Sequence, residues 1–568
     1  MAKIKIFALG GLNEIGKNMY VIDIDNNIFV FDAGLKYADD RMLGVDYIIP
    51  KYDYLIQNKK KIKGIFITHG HDEQMGALPD ILPELENVPV YATKFTMEII
   101  KRELAESKIN YTKLIEIKPH VKLNFGKVSV FPISLTHSVP DSVGYVINTV
   151  DGAIFYTGNF MFDSSMLGPY KTDIGKLAYI GKQGVLCLLS ESMYADKKGF
   201  TAPNNRITPI VNEILDQDDR ILVSVFPNQL YKIQELFNGI MHTEKNVVII
   251  GKRLQDVILN SIELKYVNFD VNRIKTISHV NDKNIVVLIA DDREKPFSNF
   301  LRIIKGYDKF IKLSKKDTVL FMSPIFPGME KSSSKLLDGI ARIGCNLIDI
   351  SSKYLSHHAS SEDLMMMINL LNPKYYMPVN GEYRHEIANK KAALIAGMKD
   401  ENILCKLNGE VVYFKNGKLV DDNQKIPTDE LLIDGEVGDV GEIVLKDREM
   451  LSDNGVVVAV VTIDKTTKKL KHPVEIHSRG FIYVRDNIDV MKEAVNIATK
   501  VVNDNTKPNF IDYNKVKLNI RDELGKYFYN EIGTKPMILL IIQEIWKSSW
   551  LSFFDKILYL NKIQYIWW

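Results

Sequence analysis

The chain has 568 residues, 46% apolar and 25% charged, which is too long for one hydrophobic core and apolar enough for about three domains to bury one each. Its 73 basic and 71 acidic side chains leave a net charge of +2, which neither predicts nor forbids a nucleic-acid partner, since a local basic groove can sit on a neutral molecule. Cys187, Cys345 and Cys405 are far apart, which excludes a disulfide framework and Cys-based zinc spacing and fits a reducing cytoplasm.

The start, MAKIKIFALGG, enters directly into alternating apolar positions and lacks the apolar core of a signal peptide. Nothing before residue 536 is long and apolar enough to span a bilayer, so a cytoplasmic protein without membrane contact is expected. Up to about residue 200 the pattern predicts short strands, KIKIFAL, NMYVIDI, NIFVFDA, GIFITHG, VPVYAT, VSVFPISLTH, GYVINTV and AIFYTGN, with a helix over Thr96 to Ser107. Several end in a polar residue fit for coordination: Asp32, His69 with His71, His137 and Asn159. From Asp219 the runs RILVSVF, NVVIIG, NIVVLIA, DTVLFMS and NLIDISS alternate with amphipathic segments, which predicts a parallel, doubly wound sheet. SSKYLSHHASSEDLMMMINLLNPKYYMPVNGEYRHE then gives two polar turns around one helix, in which Met365 to Met367 read as core. After the polar stretch Asp421 to Pro427, a last α+β domain is expected: a hairpin of GVVVAVVTID and VEIHSRGFIYV, helices near Asn487 to Val502 and Tyr513 to Tyr529, and a closing strand from Lys535. All four tryptophans lie in the final 23 residues, an anomalous tail whose fold is left unassigned.

Within KGIFITHGHDEQMGAL, His69 and His71 are two apart at a Gly-containing turn, so both imidazoles can project to one point at a strand's end. That spacing suits a metal, although a histidine pair in a loop is more often simply solvated.

In order, GGLNEIGKN, FDAG, THGHDEQMGALP, LTHSVPDSVGY, YTGNFMFD, LLSESMYA, SHHASSEDL and PVNGEYR resemble the ribonuclease J family. The resemblance implies an α/β protein: a metallo-β-lactamase αββα sandwich interrupted by a parallel β-CASP domain, plus a small α+β C-terminal domain. In this chain it implies residues 1–205 as the first part of the sandwich, 206–352 as β-CASP, 353–425 as the return segment, 426–450 as a linker, 451–545 as the C-terminal domain and 546–568 as the tail. It also implies a two-zinc centre for phosphodiester hydrolysis. The family's HxHxDH reads HGHDEQ here, so His69 and His71 are kept while Glu73 and Gln74 stand for Asp and His. His137 is kept. Asn159 in TGNF replaces the bridging Asp, and Asn380 in PVNGEYR replaces the last ligand His. The four changed positions serve the second metal, and amides are poor zinc ligands, so at most one Zn2+ per chain, or none, is expected.

By the same resemblance His69, His71, Glu73, His137, Glu191 and His358 are the catalytic candidates. Ser356, His357, His358, Ala359 and Ser360 of the HHAS loop, with Asn228, are the phosphate-binding ones; Ser360 also reads as a helix cap. FPNQLYK stands where FASNxHR is usual, and ADDREKP replaces TGSQGEP, where Asp291 and Asp292 would repel phosphate. The pattern resembles the second, catalytically degenerate ribonuclease J paralogue of Gram-positive bacteria. It implies a weakly active or inactive subunit of rRNA maturation and mRNA turnover that binds RNA and forms a homodimer or a hetero-oligomer with an active paralogue, with residues 455–484 and 536–544 as interface candidates. The alternatives are an independent zinc-dependent 5'-3' exoribonuclease and endoribonuclease, built on the three retained histidines, and an RNA-binding scaffold only.

Overall fold

The computed structural model describes residues 2–39, 42–166, 168–203, 205–217, 219–290, 297–325, 329–350, 352–420, 423–435, 438–483, 486–507 and 510–545. Asp291 and Asp292, and the whole Trp-rich tail, lie outside the described residues. The chain divides into two compact units, residues 1–39 with 45–439, and residues 40–44 with 440–568.

The larger unit is built on two facing sheets. The first orders its strands Lys418–Val420, Val412–Lys415, Lys3–Gly10, Met19–Ile24, Asn27–Phe31, Ile62–Phe66, Val90–Thr93 and Leu114–Ile117; the second orders Tyr375–Val379, Val185–Glu191, Gly152–Tyr156, Val143–Thr149, Val128–Ser134 and Leu123–Phe125. Strand alternation sends Ile4, Ile6, Tyr20, Phe29 and Phe31 of the first sheet against Tyr145, Ile147, Tyr156, Leu189 and Met377 of the second. The opposite faces bury Val21, Val30 and Ile65 under Met97 and Ile100, and Phe155 and Leu188 under Leu364, Met367 and Ile368, giving helix, sheet, sheet, helix layers. Residues 353–425 complete both sheets: Tyr375–Val379 lies parallel to Val185–Glu191, and Val412–Lys415 pairs with Lys3–Ile6.

Between Thr208 and Asp349 the chain forms a separate sheet in which every pairing is parallel, ordered Ile274–Lys275, Asn246–Ile250, Ile285–Ile289, Ile221–Ser224, Thr318–Phe321 and Asn346–Asp349. Apolar clusters lie on both of its faces, as expected of near-continuous apolar runs.

In the smaller unit Val456–Asp464 is the central strand, antiparallel to Glu475–Arg479 and parallel to Met537–Ile545. Its alternate residues Val457, Ala459, Val461 and Ile463 are buried under helices Ile488–Asp504 and Tyr513–Ile532. The latter helix presents Val516, Ile520, Leu524 and Phe528 at four-residue spacing. The stretch 426–450, read as a linker, carries regular structure: Glu430–Asp434 pairs with Tyr47–Pro50, and Gly441 opens a helix to Asn454. Its Pro and Asp residues signalled a break, while Leu431 and Ile433 supply apolar side chains to the core under the first sheet.

Candidate active site

The histidine turn is fixed from beneath. Asp32, directly after strand Asn27–Phe31, has φ +59° and a fully buried carboxylate that accepts from the Thr68 amide at 2.8 Å, the Thr68 hydroxyl at 3.0 Å and the Tyr156 hydroxyl at 2.7 Å. Burial pushes this carboxyl up to about 7, and the three donors oppose that rise. Because the Thr68 proton goes to Asp32, its oxygen accepts from His69 Nδ1 at 3.0 Å, which leaves His69 Nε2 as a buried lone pair with no partner. Gly34 is needed for the next turn, since a Cβ there would lie 1.7 Å from the Glu73 carbonyl oxygen.

The two other histidines are set in the same way by carbonyls, which only accept. His137 Nδ1 donates to the carbonyl of His357 at 2.9 Å, and His71 Nε2 donates to that of Asn228 at 3.2 Å and to the Ser138 hydroxyl at 3.0 Å. These partners assign the tautomers. His137 Nε2 and His71 Nδ1 therefore face each other at 3.4 Å as two lone pairs, a contact that a bound cation would relieve. The three rings pack edge to face with centroids 4.6, 4.6 and 4.9 Å apart, and one nitrogen of each lies within 4.8 Å of the others. Burial, then the neighbouring rings, holds His69 and His137 well below the usual imidazole range; burial brings His71 down to about 4. Three neutral imidazoles, each with its outer nitrogen hydrogen-bonded, make a donor set fit for a metal ion.

Beside them lies a neutral half. Gln74 is fully buried with neither amide atom hydrogen-bonded, Asn380 donates to Asn159 Oδ1 at 2.7 Å, and Asn380 Oδ1 has no partner. Glu73 is half-buried and pushed up to about 7 by burial and then by Asp72. Asp72 itself turns away from the histidines: it accepts from Arg253 at 2.9 and 3.2 Å and from the Tyr37 hydroxyl at 2.5 Å. His71, His137, Glu73, Gln74, Asn159 and Asn380 border a cavity of about 450 Å³ between the sandwich and the inserted domain.

Glu191 and His358 meet on the far wall. Glu191 is fully buried, accepts from His358 Nδ1 at 2.7 Å and also from the Phe160 and Ala359 amides at 2.5 and 3.3 Å. Tyr194 stacks on the His358 ring at 14°, and the His358 and His137 centroids are 5.2 Å apart. Ser356 accepts the His358 amide, and His357 Nδ1 donates to the Leu355 carbonyl, leaving the buried His357 Nε2 as an unpartnered acceptor. Ala359 is buried, and Ser360 closes a capping box with Asp363 at the start of helix Ser361–Leu371; neither borders the cavity.

Four family descriptions match the chain in order: "Beta-lactamase superfamily domain" over residues 29–172, "Ribonuclease J, beta-CASP domain" over 218–340, "Zn-dependent metallo-hydrolase RNA specificity domain" over 345–403 and "Ribonuclease J C-terminal domain" over 443–545. Ribonuclease J2 of Bacillus subtilis (strain 168) is 37% identical over 549 residues, covering 95% of this chain and 99% of the relative. The chain belongs to the ribonuclease J family. Ribonuclease J 2 of Staphylococcus aureus (strain MRSA252) is 34% identical over 95% of this chain and 98% of its own. The crystal structure of a protein of unknown function from Enterococcus faecalis V583 aligns with TM-score 0.52 at 14% identity, over 72% of this chain and 100% of that one, a likeness of fold alone.

As a ribonuclease J the chain is built as an RNA-processing nuclease, and the two metal positions that the family resemblance implies differ in fit. The three histidines suit one metal. Gln74, Asn159 and Asn380 do not suit a second, because three neutral amides, two of them bonded to each other, offset none of a dication's charge. Sequence reasoning missed the residues that orient this ribonuclease J site: Thr68 and Tyr156 on Asp32, Ser138 on His71, the Asp72–Arg253 pair, and Arg384, which borders the cavity. All of them but Arg253 lie inside the motifs that carry the resemblance and so had a local signal; Arg253 had none.

Proposed function

We propose that this chain is a weakly active or inactive ribonuclease J subunit that binds RNA and modulates an active paralogue in rRNA maturation and mRNA turnover in the cytoplasm. The observation that carries this reading is the 2.7 Å hydrogen bond between Asn159 and Asn380, the positions at which the family resemblance implies a bridging carboxylate and a histidine. A single Zn2+ held by His69, His71 and His137 would supply Lewis acidity for phosphodiester hydrolysis. The rest is done by the chain's own groups. His358, held by Glu191 and stacked on Tyr194, borders the cavity together with Arg384 and Lys197, which pair with Glu382 and Asp196 at 2.8 and 3.0 Å and keep further donors for a phosphate. The one carboxylate on the neutral half, Glu73, is pushed up to about 7 by burial and so is only partly ionised near neutral pH, which leaves little fixed negative charge to orient an attacking water. Association with a second ribonuclease J chain through the C-terminal unit is supported by Leu539 and Ile541, 46% and 52% exposed on the edge strand Met537–Ile545.

Elemental analysis beside single-turnover cleavage of a 5'-monophosphorylated RNA tests the reading, with an active ribonuclease J added in a second series. The expected result is at most one zinc per chain, cleavage far below that of the active enzyme, and a changed rate or cleavage pattern in the mixture. Two metals per chain with full activity, or no association and no effect on the active enzyme, would refute it. One zinc with slow turnover that His69→Ala abolishes would make the chain a mononuclear nuclease, the reading favoured by the intact three-histidine geometry.

A further inference from the structure

The inserted parallel sheet has two ends, and only one faces the histidines. Its strands Ile221–Ser224 and Thr318–Phe321 run toward that end, where Asn228 and Ile325 border the cavity. Residues 305–317 cover the opposite end, between helix Ser298–Ile304 and the start of strand Thr318–Phe321. Their sequence, KGYDKFIKLSKKD, holds five lysines and two aromatic residues.

Lysines on a surface loop are ordinarily interspersed with acids that balance them. Here both acids of the segment are withdrawn. Asp308 is buried, accepts the Phe310 and Ile311 amides at 2.8 and 3.0 Å, and pairs with Arg302 at 3.0 Å. Asp317 is buried, accepts the Ser314 amide at 2.6 Å, and pairs with Arg220 at 2.8 Å; Arg220 in turn donates to the Lys312 carbonyl at 2.8 Å. The acids thus fix the loop's backbone and are neutralised inside it. Lys305, Lys309, Lys312, Lys315 and Lys316 are exposed and form no ion pair among the described residues. Tyr307 and Phe310, on either side of buried Asp308, are 75% and 58% exposed.

Exposed aromatic rings set among unpaired cations are the two components of sequence-tolerant single-strand recognition, in which rings stack on bases and cations follow the backbone. We propose that residues 305–317 are a second binding surface for single-stranded RNA, at the end of the inserted domain away from the histidine cavity, with Tyr307 and Phe310 as stacking platforms and the lysines as phosphate contacts. The spacing of two rings among five cations fits a strand of alternating bases and phosphates, and an acidic protein face is the outcome against which the test decides. The proposal rests on the RNA-binding reading above and extends it.

Fluorescence anisotropy on the full chain with a 5'-labelled oligouridylate of about 20 nucleotides, at several salt concentrations, tests it. Tyr307→Ala with Phe310→Ala should weaken binding at least about tenfold, since each stacked base contributes a factor of that order. Lys305→Gln, Lys309→Gln, Lys312→Gln and Lys316→Gln together should flatten the salt dependence by roughly two to three units in the logarithmic slope, at about 0.7 for each phosphate that is no longer neutralised. Ultraviolet cross-linking of the same RNA to the unaltered chain should mark peptides within 305–317. Wild-type affinity in both variants, with cross-links confined to the cavity, would overturn the proposal and assign the loop to an acidic protein partner instead. Failure of the unaltered chain to bind RNA would overturn the RNA-binding reading as well.

Discussion

Asn159 and Asn380 are 221 positions apart and exchange one hydrogen bond, and that contact says more about the centre than either residue does alone. The bond joins two neutral amides and brings no charge to positions where carboxylate and imidazole would hold a cation, and it leaves the buried Asn380 Oδ1 without a partner. Gln74, buried with both amide atoms unpaired, completes a site whose shape persists after its charge is gone. Asn380 has φ +50°, a conformation histidine also tolerates better than most residues, so the backbone does not forbid a ligand there. Glu73→Asp, Gln74→His, Asn159→Asp and Asn380→His combined should raise metal content from at most one to two per chain and single-turnover cleavage by about a hundredfold or more. Elemental analysis and the cleavage assay read the two effects separately; metal uptake without faster cleavage would point to misplaced water or substrate. The histidines were legible because i and i+2 on an extended segment share a face, and His137 ended its own strand. His357 was legible as a polar group but not in its role: the Leu355 carbonyl takes its proton, so the ring offers the cavity an acceptor, not a donor. Ser360 likewise serves its helix, and Ser360→Ala should cost about 1 kcal/mol of stability in denaturant titration while leaving RNA affinity near its wild-type value.

Elements were easier to read than the pairs that join them. Alternation at period two marked nearly every strand of the sandwich, and continuous apolar runs marked the parallel sheet, because side-chain direction repeats locally. Nothing local marks the pairing of Asp72, in the one-turn helix Asp72–Met75, with Arg253, 181 positions on, in the first turn of helix Lys252–Glu263. That pair is mostly buried, and Glu103 lies 3.3 Å from the same guanidinium, so Arg253 neutralises two carboxylates where the sandwich meets the inserted domain. Arg253→Ala should cost about 3 kcal/mol by removing the guanidinium that both carboxylates face, although Glu103 keeps Arg102 at 3.7 Å and Asp72 keeps the Tyr37 hydroxyl at 2.5 Å; chemical denaturation measures it. Helix Tyr383–Ile395 gives a pH-dependent counterpart. Its Glu386 is buried, accepts the Asn13 amide at 2.8 Å, and is raised to about 8, by burial first and then by Glu14. A folded carboxyl that titrates near 8 against an ordinary 4.5 binds more protons than the unfolded chain between those values, so stability falls as pH rises through that window. Glu386→Gln should remove that slope. Its thermal midpoint should gain on the wild type as pH goes from 5 to 8, and a constant difference would mean the carboxyl is ionised throughout.

At the scale of the whole molecule, a net charge of +2 gives little long-range attraction for RNA, so affinity must come from local surfaces. The larger unit has two: the cavity beside the histidines, bordered by Arg384 and Lys197, and the basic aromatic loop at the far end of the inserted sheet. Strands of four residues separate those ends, so the two surfaces are at least about 13 Å apart at 3.3 Å per residue, farther than one nucleotide's contacts reach. A strand that engages both gains from effective concentration, whereas a fragment filling one site does not. Affinity should therefore rise in a step with RNA length, from an oligonucleotide of about 5 residues to one of about 30, by more than tenfold beyond the gain from statistical sites alone. Tyr307→Ala with Phe310→Ala should abolish the step while leaving the short fragment's affinity unchanged; His358→Ala, which opens the contact with Glu191, should weaken the short fragment and spare part of the long one's binding. A smooth rise with length, identical in all three proteins, would mean that RNA follows one continuous surface. A step lost only in the aromatic variant would show a chain that holds RNA at two points and has kept its grip after losing the charges that cut.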